Sequence, residues 1–178
     1  MRFFIPSGYP FIVATDTVVG LCALPEDAVG LGRIYALKNR HASKPLALVA
    51  TSPEQAAEHV EWTEEAEKYR AAHAPGSVTF VLKRKPASFS FAAELNPGLS
   101  TVGVRFPSRS PVIEILAALG RPLAATSVNI SGRPSAATLA EARTIFPGVL
   151  VIGKDAASAS RSPSSVVDFT GDFPKKLR

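Results

Sequence analysis

The sequence predicts an α/β fold, a mixed β-sheet with helices packed against it, and three observations predict it. Short apolar and β-branched runs of strand length recur from Phe11 to Phe169, and segments with helical apolar spacing or capping residues separate them. Some neighbouring strand runs are also joined too closely for the long crossover that a parallel pair needs, so the sheet should mix directions. The 178 residues, 46% of them hydrophobic, suit one domain spanning 1–178. The 15 prolines and 12 glycines are dispersed and read as punctuation between elements rather than as a linker.

Taken in order, Phe11 to Ala14 fits a buried strand, and Pro25 to Leu37 follows with Ala28, Leu31, Ile34 and Tyr35 near helical spacing. The opening therefore reads strand, loop, helix. Leu46 to Ala50 is a second buried strand, after which Ser52-Pro53-Glu54-Gln55 has a cap, a first-turn proline and a residue able to reach back as in a capping box. Thr63 caps a helix to about Ala72, and Pro75-Gly76 breaks the chain ahead of a strand at Val78 to Leu82. Thr101 to Phe106 alternates as a strand does, Pro111 to Leu119 reads as a helix closed by Gly120, and Leu123 to Thr126 returns as a strand. Thr138 and Glu141 form a further capping box before Pro147-Gly148, and Val149 to Ile152 and Val166 to Phe169 are the last strands.

Composition excludes several classes of function. Cys22 is the only cysteine, so neither an internal disulfide nor a cysteine-based zinc cluster is available, and His41, His59 and His73 lack metal-ligand spacing. Cys22 lies in an apolar stretch without a neighbouring histidine, which marks it as a small core residue rather than a nucleophile. No apolar run approaches the roughly 18 residues of a membrane span, and residues 1–10 show no secretory signal, so the expected address is cytoplasmic. The net charge of +5 favours anionic partners without choosing among nucleotide, RNA and solvent.

Placement of charge says more. Lys38-Asn39-Arg40-His41-Ala42-Ser43-Lys44-Pro45 sets Lys38, Arg40 and Lys44 at a helix end and in the following loop. Helix-end capping accounts for Lys38 alone; the whole cluster of like charges calls for an anion or acidic groups between them, and a polyphosphate suits. In Thr126-Ser127-Val128-Asn129-Ile130-Ser131-Gly132, strand alternation would put Ser127, Asn129 and Ser131 on one side. Ser131-Gly132 reads as an ordinary turn, but Ser127 and Asn129 together favour a polar ligand. Thr15-Asp16-Thr17 and Ser162-Pro163-Ser164-Ser165 flank strands in the same style, and each could be only a turn. Arg105 shares a strand face with Thr101 and Gly103 and reads as an anion or carboxylate receptor. Lys83-Arg84-Lys85 is most simply an exposed turn, with RNA contact as a minority reading. Neither a Gly-x-x-x-x-Gly-Lys-Ser/Thr loop nor a Gly-x-Gly-x-x-Gly fingerprint is present, so ATP would bind without those cradles.

These segments resemble the YrdC/TsaC family in order and spacing. Ala14 to Leu21 is similar to its Pro-Thr-Asp/Glu-Thr-Val-Tyr-Gly-Leu motif, and Lys38 to Leu46 to its Lys-x-Arg loop. Thr101 to Pro107 is similar to its Thr-Val-x-Val-Arg-x-Pro strand, Ser127 to Pro134 to Ser-x-Asn-x-Ser-Gly-x-Pro, and Ser164 to Asp168 to Ser-Thr-Val-Val-Asp. The resemblance implies a twisted sheet around a concave basic cavity. It also implies a synthase that converts L-threonine, bicarbonate and ATP into threonylcarbamoyl-AMP and pyrophosphate, with Mg²⁺ on the phosphates and no metal held by the protein. A tRNA-modifying transferase would receive the adenylate and pass it to a tRNA adenosine. By position in the motifs, Thr17, Arg105, Ser127 and Ser164 would hold threonine or its carbamate, and Lys38, Arg40, Lys44, Thr101, Asn129 and Arg178 the nucleotide, with no covalent intermediate. Val19, Ala14 and Ala137 depart from the tyrosine, proline and threonine or serine usual there, and Asp155 to Ser162 lack the glycines common in that loop. The rival readings are an RNA-binding module of the same fold without synthase activity, and a carbamoyl-adenylate domain of the hydrogenase-maturation type.

Overall fold

A computed structural model of the chain describes residues 5, 7–85, 91–108, 110–153 and 162–178. Its elements run β1 Phe11–Ala14, β2 Val19–Ala23, α1 Ala28–Lys38, β3 Ala47–Val49, α2 Pro53–Ala57, α3 Glu64–Ala71 and β4 Val78–Lys83. There follow a 3-10 turn at Ala93–Leu95, β5 Thr101–Arg105, α4 Pro111–Leu119, β6 Leu123–Ser127, α5 Leu139–Ile145, β7 Leu150–Ile152, β8 Ser165–Asp168 and β9 Lys175–Lys176. Among the described residues all nine strands form one sheet, in the order β7-β1-β2-β6-β3-β5-β4-β8-β9. The pairs β1–β7, β3–β5 and β4–β8 are parallel and the others antiparallel, so the sheet is mixed as the short connections required.

Register sorts the side chains into two layers, because successive residues of a strand point to opposite faces. Leu48 lies between Ala124 and Val104, with Phe80 and Val167 continuing the row; all belong to the main core, which Leu31 and Ile34 of α1, Ala56 of α2, Ala66 of α3 and Leu139 and Ala142 of α5 complete. The neighbouring row runs Ala125, Ala47, Gly103, Val81 on the other face. That face has its own smaller core, where Val112, Ile115 and Leu116 of α4 meet Phe11, Val13, Cys22 and Leu123. One face is thus fully covered, whereas the second has one helix over its β1–β2 end.

Local chemistry explains the helix ends. Ser52 Oγ accepts from Gln55 N at 3.3 Å, Thr63 Oγ1 from Ala66 N at 3.1 Å and Thr138 Oγ1 from Glu141 N at 3.1 Å. The return bonds of the two expected capping boxes land one residue early, on Thr51 N from Gln55 and on Ala137 N from Glu141. Gly120, at φ +66°, closes α4.

The sequence reading needs three corrections. Strand β2 stands where a loop is expected between the first strand and the first helix; Gly20 interrupts its β-branched start, yet it pairs with both β1 and β6. Lys83-Arg84-Lys85 is no turn: Lys83 ends β4, Arg84 bridges to Val60, and Lys85 Nζ donates to Ala57 O. Strand alternation also stops at Ser127, so Ser127, Asn129 and Ser131 do not share a strand face. Nearly all of the Asp155–Ser162 loop lies outside the described residues.

Candidate functional site

The uncovered part of the second face is a cavity of about 270 Å³. Its floor consists of the smallest side chains of the central strands: Gly20 of β2, Ala125 of β6, Ala47 of β3 and Gly103 of β5. A Cβ at Gly103 would stand 3.0 Å from Thr79 Cγ2, so the floor has no room for bulk at that point. Thr101, Gly103 and Arg105 all line the cavity, as the alternation of β5 predicted. From Thr101 to Arg105 the strand advances by about 13 Å at roughly 3.3 Å per residue.

The Arg105 end is tied across the cavity. Arg105, 7% exposed, donates from Nη2 to Asp16 Oδ1 at 2.5 Å and from Nε to Gly76 O at 2.9 Å. Asp16 Oδ2 accepts from both Ser108 N at 2.9 Å and Ser108 Oγ at 3.0 Å. By register, the β1–β2 loop leaves the sheet beyond Gly20 and Ser127, level with the Thr101 end. Its Asp16 nevertheless meets Arg105, which lies at the opposite end of β5, so the loop spans the concave face diagonally. These bonds spend Nε and Nη2; Arg105 Nη1 has no partner among the described residues.

Four hydroxyls face the same region. Thr15 Oγ1 donates to Val18 O at 2.6 Å and accepts from Thr17 N at 3.2 Å. With its proton so committed, the 3.2 Å contact between Thr15 and Thr17 Oγ1 is donated by Thr17, which leaves the Thr17 oxygen as an acceptor. Thr79 Oγ1 and Ser164 Oγ lie 2.8 Å apart and share one hydrogen bond, so one O–H of the pair is free to donate.

The cations divide. Arg40 lines the cavity, held by its own loop through Nε to Lys44 O at 2.6 Å and Nη2 to Pro45 O at 2.9 Å. Burial pushes its guanidinium below the ordinary value; Tyr35 opposes that shift and the nearby Arg178 charge adds to it. Arg178 also lines the cavity, with Nη2 donating to Ser164 O at 2.9 Å. Lys38 does not reach the cavity. It is 1% exposed, and its ammonium donates to Ser127 O, to Asn129 O at 2.9 Å and to Asn129 Oδ1 at 2.7 Å. Burial, with the Arg40 charge second, pushes it down to about 7. Asn129 is spent in the same knot: Oδ1 also accepts from Ser127 Oγ at 2.7 Å, and Nδ2 donates to Ile130 O at 3.0 Å and Arg133 O at 2.7 Å. Lys44 is exposed outside the lining, while Ser127, level with Thr101, is within it.

The structure therefore gathers Thr17, Arg40, Thr101, Arg105, Ser127, Ser164 and Arg178 around one cavity and sets Lys38, Asn129 and Lys44 apart from its lining. Sequence reasoning passed over Thr79, Asp16 and Asn96. Thr79 looked like any β-branched strand residue. Asp16 carried a signal, a carboxylate in a segment otherwise of hydroxyls and apolar groups with an unpaired strand arginine elsewhere. Among the described residues no group of three or more His, Cys, Asp or Glu gathers as a metal site. The cavity offers hydroxyls and guanidiniums, donors that suit anions, and the Asp16 carboxylate is committed to Arg105 and Ser108.

Comparison with known proteins gives this geometry its family. The model of the family Sua5_yciO_yrdC, described as Telomere recombination, matches residues 4–178. The chain belongs to this family. Among Sua5/YciO/YrdC proteins, a Threonylcarbamoyl-AMP synthase of Klebsiella pneumoniae is 30% identical over 89% of this chain and 84% of its own length. One of Pyrococcus abyssi is 34% identical over 98% of this chain and 51% of its own, so the chain spans about half of that relative. In fold, the P. abyssi Sua5 structure solved with L-threonine superposes with a TM-score of 0.85 at 32% identity, covering 96% of this chain and 50% of that one. E. coli YciO, at 23% identity, has the same fold, with a TM-score of 0.82 over 96% of this chain and 82% of its own. Among the described residues no helix is long and apolar enough to cross a membrane.

Proposed function

We propose that the chain is a threonylcarbamoyl-AMP synthase serving tRNA adenosine modification. The amine of L-threonine forms a C–N bond to the carbon of bicarbonate, which loses water to give a carbamate; one carbamate oxygen attacks the α-phosphorus of ATP, and the bond from that phosphorus to the bridging α–β oxygen breaks to release pyrophosphate. The observation that carries the reading is a cavity of about 270 Å³ lined by hydroxyls and by the guanidiniums of Arg40, Arg105 and Arg178, in a chain about 30% identical to such synthases.

In this cavity, Arg105 Nη1 and the free hydroxyl proton of the Thr79–Ser164 pair receive the threonine carboxylate, and the Thr17 oxygen accepts from the amino acid's own N–H or O–H. Arg40 and Arg178 take the phosphates and offset the charge that develops as pyrophosphate leaves. Their mutual repulsion without an anion makes the cavity a better receptor for one. Thr101 contacts the nucleotide, and Ser127, level with it along the sheet, contacts the carbamate. Lys38 and Asn129 act on the site indirectly, by fixing the turn that carries Ser127. Arg40 and Arg178 would share the phosphates with Mg²⁺ carried by the ATP, which would supply further charge neutralisation. No side chain forms a covalent intermediate, so the chain's work is positioning and electrostatics. The adenylate would then pass to a tRNA-modifying transferase.

The test is pyrophosphate release from ATP and Mg²⁺, with and without L-threonine and bicarbonate, for wild type, Arg40→Ala and Arg105→Ala. Release that needs both small substrates, and that falls at least 100-fold in each variant, supports the reading. A folded protein that binds ATP yet releases none refutes it and advances the RNA-binding module, whose own mark is RNA affinity falling steeply with salt.

A further inference from the structure

Ser164 is 9% exposed and lines the cavity one residue before β8 begins. The β4–β8 ladder starts only at the next residue, where Ser165 N donates to Ser77 O at 2.9 Å and Ser165 Oγ to the same carbonyl at 3.1 Å. Pro163, on the other side, has no N–H to contribute. The sheet therefore fixes Thr79, which is paired on β4 with both neighbours, but not the peptide that carries the hydroxyl partner of Thr79.

Arg178 fixes that peptide. The chain after β9 runs back along β8, with Leu177 N donating to Val166 O at 2.8 Å and Val166 N to Arg178 O at 3.1 Å. From there Arg178 Nη2 donates to Ser164 O at 2.9 Å. Its Nε and Nη1 have no partner among the described residues, and its charge lies close enough to Arg40 to oppose it. A guanidinium is a planar fork, so seating one prong orients the others. One side chain thus joins the two halves of the cavity, with free donors toward an anion and one donor on the Ser164 backbone. The Ser164 hydroxyl lies 2.8 Å from Thr79 Oγ1, and the pair has one proton to offer a carboxylate. Freed from Arg178, the Ser164 peptide can turn, and that proton loses its fixed place.

We propose that Arg178 is a positioning residue for L-threonine, setting the Ser164 hydroxyl through the Ser164 carbonyl, beyond its place among the cations on the phosphate side. The proposal rests on the synthase reading above. It is tested by calorimetric titration of L-threonine, without nucleotide or bicarbonate, into wild type, Arg178→Met, Ser164→Ala and the double variant. Arg178 is exposed, methionine keeps an apolar stem while removing donors and charge, and thermal melts establish that each variant is folded. The expected result is that Arg178→Met weakens L-threonine roughly 3- to 10-fold, although no phosphate is present, and that the double variant binds no more weakly than Ser164→Ala. Unaltered affinity in folded Arg178→Met, or losses that multiply in the double variant, overturns the role: in the first case Ser164 is held without Arg178, in the second Arg178 acts on the ligand directly. Either result leaves the synthase reading intact. Wild type that binds no L-threonine also overturns the role, and pyrophosphate release then judges the synthase reading separately.

Discussion

Replacing Asp16 by alanine tests how the cavity is held shut. Its carboxylate partners Arg105 at 2.5 Å, and the two side chains are 5% and 8% exposed. Its other oxygen satisfies both donors of Ser108. Asp16→Ala leaves a buried guanidinium uncompensated, a change that costs about 3–5 kcal/mol where only one partner of such a pair is removed. For a chain of this size, each kcal/mol moves the melting midpoint by about 2–4 °C, so a drop of about 10 °C is expected by scanning fluorimetry. The decisive comparison adds Arg105→Met. With both charges gone, the desolvation cost disappears and most of the lost stability should return, while L-threonine affinity stays lost. A shift below about 2 °C for Asp16→Ala, or a double variant no more stable than the single, would refute the claim that this pair ties the corners of the sheet together.

Further outcomes follow from the same geometry. Gly76 has φ +78°, and a Cβ there would lie 1.8 Å from Asp16 Oδ2. Gly76→Ala should therefore cost more than the ~1–2 kcal/mol of the backbone conformation alone, read as a urea midpoint. Lys38 has a folded pKa of about 7 against an ordinary 10.5. Between those values the unfolded chain binds the extra proton, so stability should rise with pH from about 7 toward 10, by at most ~1.4 kcal/mol per unit. Lys38→Met should abolish that slope in urea titrations at pH 7, 8 and 9. Thr79→Val removes the partner of Ser164 while keeping its shape; we expect about 0.5–1.5 kcal/mol of destabilisation and weaker L-threonine binding by calorimetry. Cys22, fully buried with its thiol pushed up to about 12, should react with a thiol reagent only after denaturation.

Sequence reasoning did best where one residue dictates a local geometry. Ser52, Thr63 and Thr138 cap as their side chains require, and Gly120 ends α4 as a residue free to adopt positive φ does. Strands with a continuous apolar or alternating pattern, such as β1 and β5, were legible for the same reason. β2 was not, because its Gly20 is small to leave space above the sheet, a tertiary need that looks locally like a break. β9, the Lys175–Lys176 pair, has no apolar pattern and exists by pairing with β8. In the site, Arg40 and Arg105, singled out by charge and spacing, line the cavity, but the same signals could not separate Lys38 from Arg40. Lys38 ends helix α1 and Arg40 follows it by two residues, and only packing reveals that Lys38 turns inward to bind carbonyls while Arg40 faces the cavity. Asn129 misled in the same way: its polarity was a genuine signal of a demanding environment, and what demands it is the buried ammonium of Lys38.

The cavity floor lies on strands that each have a neighbour on both sides, β6 between β2 and β3, β3 between β6 and β5, β5 between β3 and β4. Their peptide groups are consumed by the ladders, so a molecule resting there meets almost no main-chain donors or acceptors from the sheet itself. Glycine-loop and helix-end sites work the other way, since the backbone does the binding and side-chain replacement changes little. Here selectivity is written largely in side chains, and apart from the Asp16–Arg105 pair it is the strand ladders that hold the platform together. Such a surface can exchange one ligand for another by a few substitutions while the sheet beneath stays the same.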